Sequence, residues 1–244
     1  MSAKIRVVLV ETSHPGNIGA VARAMKNMGL DGERASLYLV TPRRFPHEDA
    51  TVRASGAIDL LDGAAVCETL DEALVGTTLV FGASARTRSL PWPIHPPREC
   101  AAKIALEPDG SEVALVFGRE RSGLTNEELE RCNTLLHIPT NPEFSSLNLG
   151  AAVQVVAYEL LMARGEVHKE AGNVERDSPL ASADDIERLF GHFEKTLKDI
   201  DFLDPENPRH MMRRLRRLFN RVELEQVEIN ILRGILTAVD KKVK

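Results

Sequence analysis

Residues 113–131 read VALVFGRERSGLTNEELER: a β-branched apolar run, a turn bounded by Gly118 and Gly123, and a helical stretch opening at Thr125. Strand, glycine loop and helix form the unit from which parallel sheets are wound. Working outward, the same unit recurs. Period-2 and β-branched runs predict strands at 5–10, 36–40, around 65–67, at 78–81, 113–117 and 135–138. Between them the spacing predicts helices at about 18–28, 49–55, 70–75, 97–106 and 126–131. The fold class that follows is α/β, a mostly parallel sheet with helices on both faces. Ligands on such sheets gather beyond the carboxyl ends of the strands.

The opening stretch matches the P-loop pattern except that Leu124 stands where a lysine must reach the β and γ phosphates. A triphosphate site is therefore disfavoured, and Thr125 with Glu128 reads as a capping box rather than a magnesium ligand. Gly16-Asn-Ile-Gly19 lacks the G-x-G start of a dinucleotide fingerprint. What remains is a backbone turn that brings main-chain amides close to a flat, mostly neutral ligand. Two further strand ends carry small or polar loops, FGASARTR at 81–88 and IPTNPEFSSLN at 138–148. Three such loops can enclose one pocket, although Ser145 by itself reads equally as the N-cap of the next helix.

The helix expected at 147–164 is apolar nearly all round, which requires burial against the sheet on one side and favours a second subunit on the other. Residues 165–181 are polar and aperiodic and read as a linker. A helical unit follows over 182–244, with Ser182 and Asp185 as its cap and DPENP at 204–208 as a breaker. The expected division is thus 1–164, 165–181 and 182–244.

The 244 residues are 43% apolar, enough for a real core, and carry a net charge of −5 that does not announce a nucleic-acid partner. Charge placement is more informative. Residues 1–164 hold 16 basic and 20 acidic side chains, whereas 181–244 hold 13 and 12. Six arginines lie within 209–221 (RHMMRRLRRLFNR) with no acid, and on a helix they span an arc of roughly 160° opposite Met211, Met212, Leu215, Leu218 and Phe219. An all-arginine polar face suits a phosphate backbone. Cys67, Cys100 and Cys132 are odd in number and widely spaced, arguing against disulfides or a zinc site. With no signal-peptide pattern and no membrane-length apolar run, a soluble cytoplasmic protein is expected.

Taken in order, ETSHPGNIGAVARAMKNMG (11–29), FGASARTRSLPWP (81–93), LVFGRERSGLTNEEL (115–129) and IPTNPEFSSLNLGAAVQVVAYE (138–159) resemble the SPOUT class of RNA methyltransferases, over roughly residues 4–164. The resemblance is to the branch that methylates ribose 2′-hydroxyls of tRNA. It implies a trefoil-knotted α/β domain, a homodimer, a tRNA partner rather than DNA or a membrane, and S-adenosyl-L-methionine as cofactor, with no metal. General topology rules would reject a knot, so it rests on the resemblance alone. By the same token the cofactor should meet Ala83, Ser84, Ala85, Gly118, Ile138, Ser145, Ser146 and Leu147. Ala83 stands where a threonine is common in relatives.

For chemistry the resemblance points to Arg23, with Ser146, Asn17 and Asn148 beside it and Glu120 organising the loop. From periodicity, Ile18, Val21, Ala22 and Met25 face the core and leave Arg23 outside. An arginine is a poor base, so orienting a phosphate and stabilising a developing alkoxide is the easier role. RNA contacts are expected from Arg86 and Arg88, ahead of the stiff PWPIHPP run with Trp92, and from Arg213 and Arg217. The implied reaction is 2′-O-methylation of cytidine or uridine at position 32 of the anticodon loop. Ribosomal RNA as substrate, a non-catalytic RNA-binding module of the same fold, and an unrelated nucleotide-binding regulator are the competing readings.

Overall fold

A computed structural model of the chain describes residues 3–84, 93–166, 176–204 and 210–243. Seven strands, β1 (Lys4–Val10), β2 (Ala35–Val40), β3 (Ala65–Cys67), β4 (Leu79–Ala83), β5 (Ile94–His95), β6 (Glu112–Phe117) and β7 (Thr134–Leu136), form one sheet in the order β3-β2-β1-β6-β4-β7-β5. Every pairing within this sheet is parallel. The central strands are buried on both faces, as their continuous apolar runs require. Ile5, Val7 and Leu9 join a core with Ile18, Val21, Met25 and Val153 on one face. Val8 and Val10 point the other way, to Leu70, Leu74, Leu124 and Leu129.

The helices are α1 (Pro15–Asn27), α2 (Glu48–Ala54), α3 (Ile58–Asp62), α4 (Leu70–Leu74), α5 (Pro97–Ala105), α6 (Asn126–Leu129), α7 (Leu149–Glu166), α8 (Ala183–Asp199), α9 (Met211–Asn220) and α10 (Gln226–Val243). The helix α3 and the two-residue strand β5 have no counterpart in the sequence expectations. β7 lies between β4 and β5, although the chain runs from β4 directly toward β5 and reaches β7 later. That insertion is consistent with the knot the resemblance implies. Residues 85–92, in the β4–β5 connection, lie outside the described residues.

Helix α1 starts at Pro15, where a missing N–H costs nothing, and His14 Nδ1 accepts from the Gly16 amide at 3.2 Å. Thr125 and Glu128 close the expected capping box on α6. Ser145 does not cap α7. It ends a 3-10 turn (Pro142–Phe144), and Asn148 takes the capping role, its Oδ1 accepting from Gly150 N at 2.9 Å. The three cysteines are free thiols.

Residues 176–181, expected as part of a linker, are held in place. Ala181 N donates to Leu224 O at 2.8 Å, Gln226 N to Pro179 O at 2.8 Å, and Arg176 pairs with the buried Glu107 at 3.2 Å. Residues 167–175 lie outside the described set. The C-terminal unit has its own core of Ile186, Leu189, Phe190, Leu224, Ile229 and Leu236. It sits against the sheet domain through Ala183 N to Thr77 O at 2.8 Å and Asn220 Nδ2 to Glu130 O at 2.9 Å.

Helices α1 and α2 touch at Gly19, where an added Cβ would lie 2.0 Å from the carbonyl oxygen of Ala50. Because backbone cannot yield as a side-chain tip can, Gly19→Ala is expected to lower unfolding free energy by about 1–3 kcal/mol. Gly56→Ala, which meets open space, should stay within about 0.5 kcal/mol. Urea unfolding of both variants checks the contrast; equal midpoints would refute the close packing.

Candidate active site

The loops beyond the carboxyl ends of β4, β6 and β7 line one cleft. Ala83 and Ser84 stand on one side, Gly118 and the turn 119–123 on another, and Ile138, Ser145, Ser146 and Leu147 close it. Seven of the eight residues expected at the cofactor are therefore gathered in one place; Ala85 lies outside the described residues. Leu136, Leu149 and Ala152 add an apolar wall. The floor depends on glycine. A Cβ on Gly118 would fall 2.2 Å from the Gly123 carbonyl carbon, so no larger residue allows the turn to double back, and Gly123 itself has φ 69°. Arg119 and Gly123 exchange backbone hydrogen bonds at 2.9 and 3.2 Å across that turn.

Glu120 is the hub beside the cleft. Its carboxylate accepts from Ser13 N, from Ser13 Oγ at 2.9 Å, from His14 N at 3.3 Å and from Asn17 Nδ2 at 2.9 Å. Asn148 Nδ2 in turn donates to Asn17 Oδ1 at 3.1 Å. One carboxylate thereby joins the loop after β1, the loop after β6 and the start of α7. Partial burial opposes its ionisation, yet the donors from Asn17, its own backbone and Ser13 outweigh that cost and hold its pKa down to about 2. Its role in organising the loop, expected from sequence, takes this concrete form.

Arg119 supplies a second tie that no spacing pattern reveals, since one partner is 108 positions away. Its guanidinium bonds Glu11 Oε2 at 2.9 Å and both Glu128 oxygens at 3.0 Å. These bonds lower the Glu11 pKa, chiefly through the Arg119 hydrogen bond. Fork-to-carboxylate geometry of this kind fixes position as well as charge.

Arg23 is exposed on α1, beside the buried Ile18, Val21, Ala22 and Met25, and does not line the cleft. Arg86, Arg88 and Trp92 lie outside the described residues. The arginine face of α9 is partly turned inward: Arg213 pairs with Glu130 of the sheet domain, and Arg216 pairs with Glu187 while stacking over Phe190 at 4.6 Å. Arg217 is half-buried, with its Nε enclosed, and Arg214 and Arg221 are exposed. No cluster of metal-ligating side chains occurs among the described residues.

A parallel sheet with its last inner strand inserted out of order, and a glycine-rich cleft at the carboxyl ends, agrees with the SPOUT class of methyltransferase folds. The chain belongs to the SpoU methylase family: the model described as the SpoU rRNA Methylase family matches residues 4–158, and that of the tRNA methyltransferase TrmJ C-terminal domain matches 184–244. A Pseudomonas aeruginosa protein named tRNA (cytidine/uridine/adenosine-2′-O-)-methyltransferase TrmJ is 56% identical, over 99% of this chain and 95% of its own. The Escherichia coli K12 protein named tRNA (cytidine/uridine-2′-O-)-methyltransferase TrmJ is 50% identical over 100% and 98%. The crystal structure of TrmJ from Z. mobilis ZM4 superposes with a TM-score of 0.83 at 34% identity, covering 98% of this chain and 100% of that one.

The depressed pKa of Glu120 has a signed consequence. Its contribution to stability is fully present above the ordinary value of 4.5 and is lost as pH falls through about 2. The stability advantage of the wild type over Glu120→Gln should therefore shrink from pH 4.5 downward. Urea unfolding at stepped pH checks this, and a difference that stays constant would contradict it.

Proposed function

We propose that this chain is a tRNA ribose 2′-O-methyltransferase that uses S-adenosyl-L-methionine and acts on cytidine or uridine at position 32 of the anticodon loop. The observation that carries the reading is similarity over nearly the whole chain to proteins named as tRNA 2′-O-methyltransferases, together with one cleft lined by seven of the eight residues expected at the cofactor. The cleft fits the cofactor in kind. Small side chains and an apolar wall suit a flat adenosine, and the hydroxyls of Ser145 and Ser146 offer polar contacts. When bound, S-adenosyl-L-methionine supplies a methyl group on a sulfonium.

The protein's own part is positioning and charge. Asn17, Asn148 and Glu120 hold the loops around the reacting oxygen, and Ser146 stands at the cleft wall. Arg23 stabilises the developing alkoxide or the adjacent phosphate rather than removing the proton. Its exposure on α1 suits a group that meets RNA. The domain division is a methyltransferase domain over 1–164, a connection over 165–181 and a C-terminal tRNA-contact unit over 182–244.

The outer side of α7 supports a homodimer in this reading. Val155, Tyr158, Leu161 and Met162 form an apolar stripe along its outer side, with Tyr158 47% exposed, while the opposite side is buried against the core. A second copy covers that stripe. Arg86, Arg88, Arg217, Arg214 and Arg221 are the RNA contacts assigned outside the cleft; Arg213 joins them only by exchanging Glu130 for a phosphate. A cytoplasmic location accords with this substrate. Ribosomal RNA is the second reading, favoured by the family model's own description.

Labelled S-adenosyl-L-methionine with total tRNA and total rRNA, followed by nucleoside mapping, decides between them. Label at position 32 of tRNA is expected; label in rRNA supports the second reading, and none in either refutes both. In single-turnover assays, Arg23→Ala is expected to lose about 10²-fold or more. Arg23→Lys should recover part of that loss, and wild-type rates in both variants would remove Arg23 from the mechanism.

A further inference from the structure

The loop after β2 carries two more arginines at the carboxyl end of the sheet, next to the loop after β1. Its backbone is fixed at several points: Thr41 N donates to Cys67 O at 3.0 Å, Arg43 N to Thr12 O at 3.1 Å, and His47 caps α2 by accepting from Asp49 N at 3.2 Å. Phe45 packs against the main core. Arg43 and Arg44 are exposed on this held loop. The carbonyl that receives Arg43 N belongs to Thr12, and the next residue, Ser13, donates to Glu120 at 3.1 Å. Two hydrogen bonds and one peptide step therefore connect this arginine pair to the carboxylate beside the cleft.

Charge around these loops is lopsided. Arg43, Arg44, Arg23, Arg121 and Arg53 are all exposed, and none has a carboxylate within ion-pair distance among the described residues. Arg121 lines the cleft, and Arg53 of α2 lies beside Gly16, its Cγ 3.4 Å from where a Cβ would stand. By contrast Arg6, Arg119, Arg131, Arg176, Arg188, Arg213 and Arg216 are all paired. Of the neighbouring acids Glu11 is paired with Arg119, Glu120 keeps its charge among four neutral donors, and Glu48 and Asp49 are exposed at the start of α2. Unneutralised guanidinium groups on a rigid loop form a fixed positive potential and bind phosphate oxygens as a fork.

A ribose presented at the cleft carries a phosphodiester on each side, so the protein must meet phosphates on both flanks of the reacting sugar. We propose that Arg43 and Arg44 bind RNA backbone phosphates near the target nucleotide, from the loop that is tied to Thr12. The proposal rests on the tRNA reading above and adds a phosphate track on the sheet domain itself, separate from α9.

The test is tRNA binding by the full chain across a series of salt concentrations, with S-adenosyl-L-methionine binding followed by calorimetry. Arg43→Ala/Arg44→Ala should weaken tRNA binding roughly tenfold and make the slope of log affinity against log salt shallower by about 1.4, at about 0.7 per single-strand phosphate contact. Cofactor affinity should hold, and the loss of turnover should sit mainly in KM. Arg43→Lys/Arg44→Lys, which keeps the charges, should restore the slope. An unchanged slope in the alanine variant overturns the proposal, whether or not affinity falls. If the wild type methylates tRNA and the slope is unchanged, the phosphate track alone fails. If the wild type binds tRNA with a salt slope that the variant reduces but transfers no methyl group, the enzymatic reading alone fails. A wild type that does not bind RNA overturns both.

Discussion

The Glu120 carboxylate is the interaction on which the site depends. It stands in the turn after β6 and receives hydrogen bonds from the loop after β1 and from Asn17 on α1, which in turn holds Asn148 ahead of α7. Hydrogen bonds to a charged acceptor contribute about 1.5–3 kcal/mol each, net of the exchange with water. The lowered pKa of Glu120 has the sign expected where such donors outweigh burial. A neutral side chain in its place would leave the Ser13 and His14 amides competing for water, and three loops without a common anchor. Arg119 reinforces the same turn from its outer side by joining Glu11 to Glu128. The cleft is thus built by electrostatics across loops, on a sheet whose strand ends bring those loops together.

Backbone proximity is the second constraint. Gly118 against Gly123 and Gly19 against Ala50 admit no side chain, so the cleft floor and the packing of α1 on α2 are set by what is absent. Because α1 also carries Asn17 and Arg23, its seating on α2 bears directly on where the polar groups stand. The Arg43 loop precedes α2 and is tied back to Thr12, so the same packing positions its arginines.

Sequence patterning revealed the alternation of strands and helices because parallel strands buried on both faces leave continuous apolar runs. It missed β5, two residues inside a proline-rich stretch, and α3, a five-residue helix too short to show a period. It could not order the strands, since β7 entering between β4 and β5 leaves no local mark; that expectation came through the resemblance. Loop composition located the three loops that hold Ser84, Gly118, Ser145 and Ser146, because small and polar residues at strand ends are a local signal; the individual cofactor residues came through the resemblance. Arg119 with Glu11 escaped because long-range ion pairs have no spacing rule. Ser145 was open to being read as a cap for a similar reason, since Asn148, three positions on, has equal capping chemistry and wins in the structure. Over 209–221, where Arg209 lies outside the described residues, the helical projection carried no information on Glu130 and Glu187, which engage two of the arginines on α9.

Charge was legible only in part for the same reason. A chain of net −5 can still carry unpaired arginines on one loop, because net charge says nothing of where charges are placed. The central claim is that Asn17 and Glu120 act as one unit, and a double-mutant cycle tests it most directly. Single-turnover methyl transfer would be measured for the wild type, Asn17→Ala, Glu120→Gln and the double variant. The account predicts a coupling of about 1 kcal/mol or more, with the double variant little slower than the worse single one. Effects that add across the two positions would contradict it.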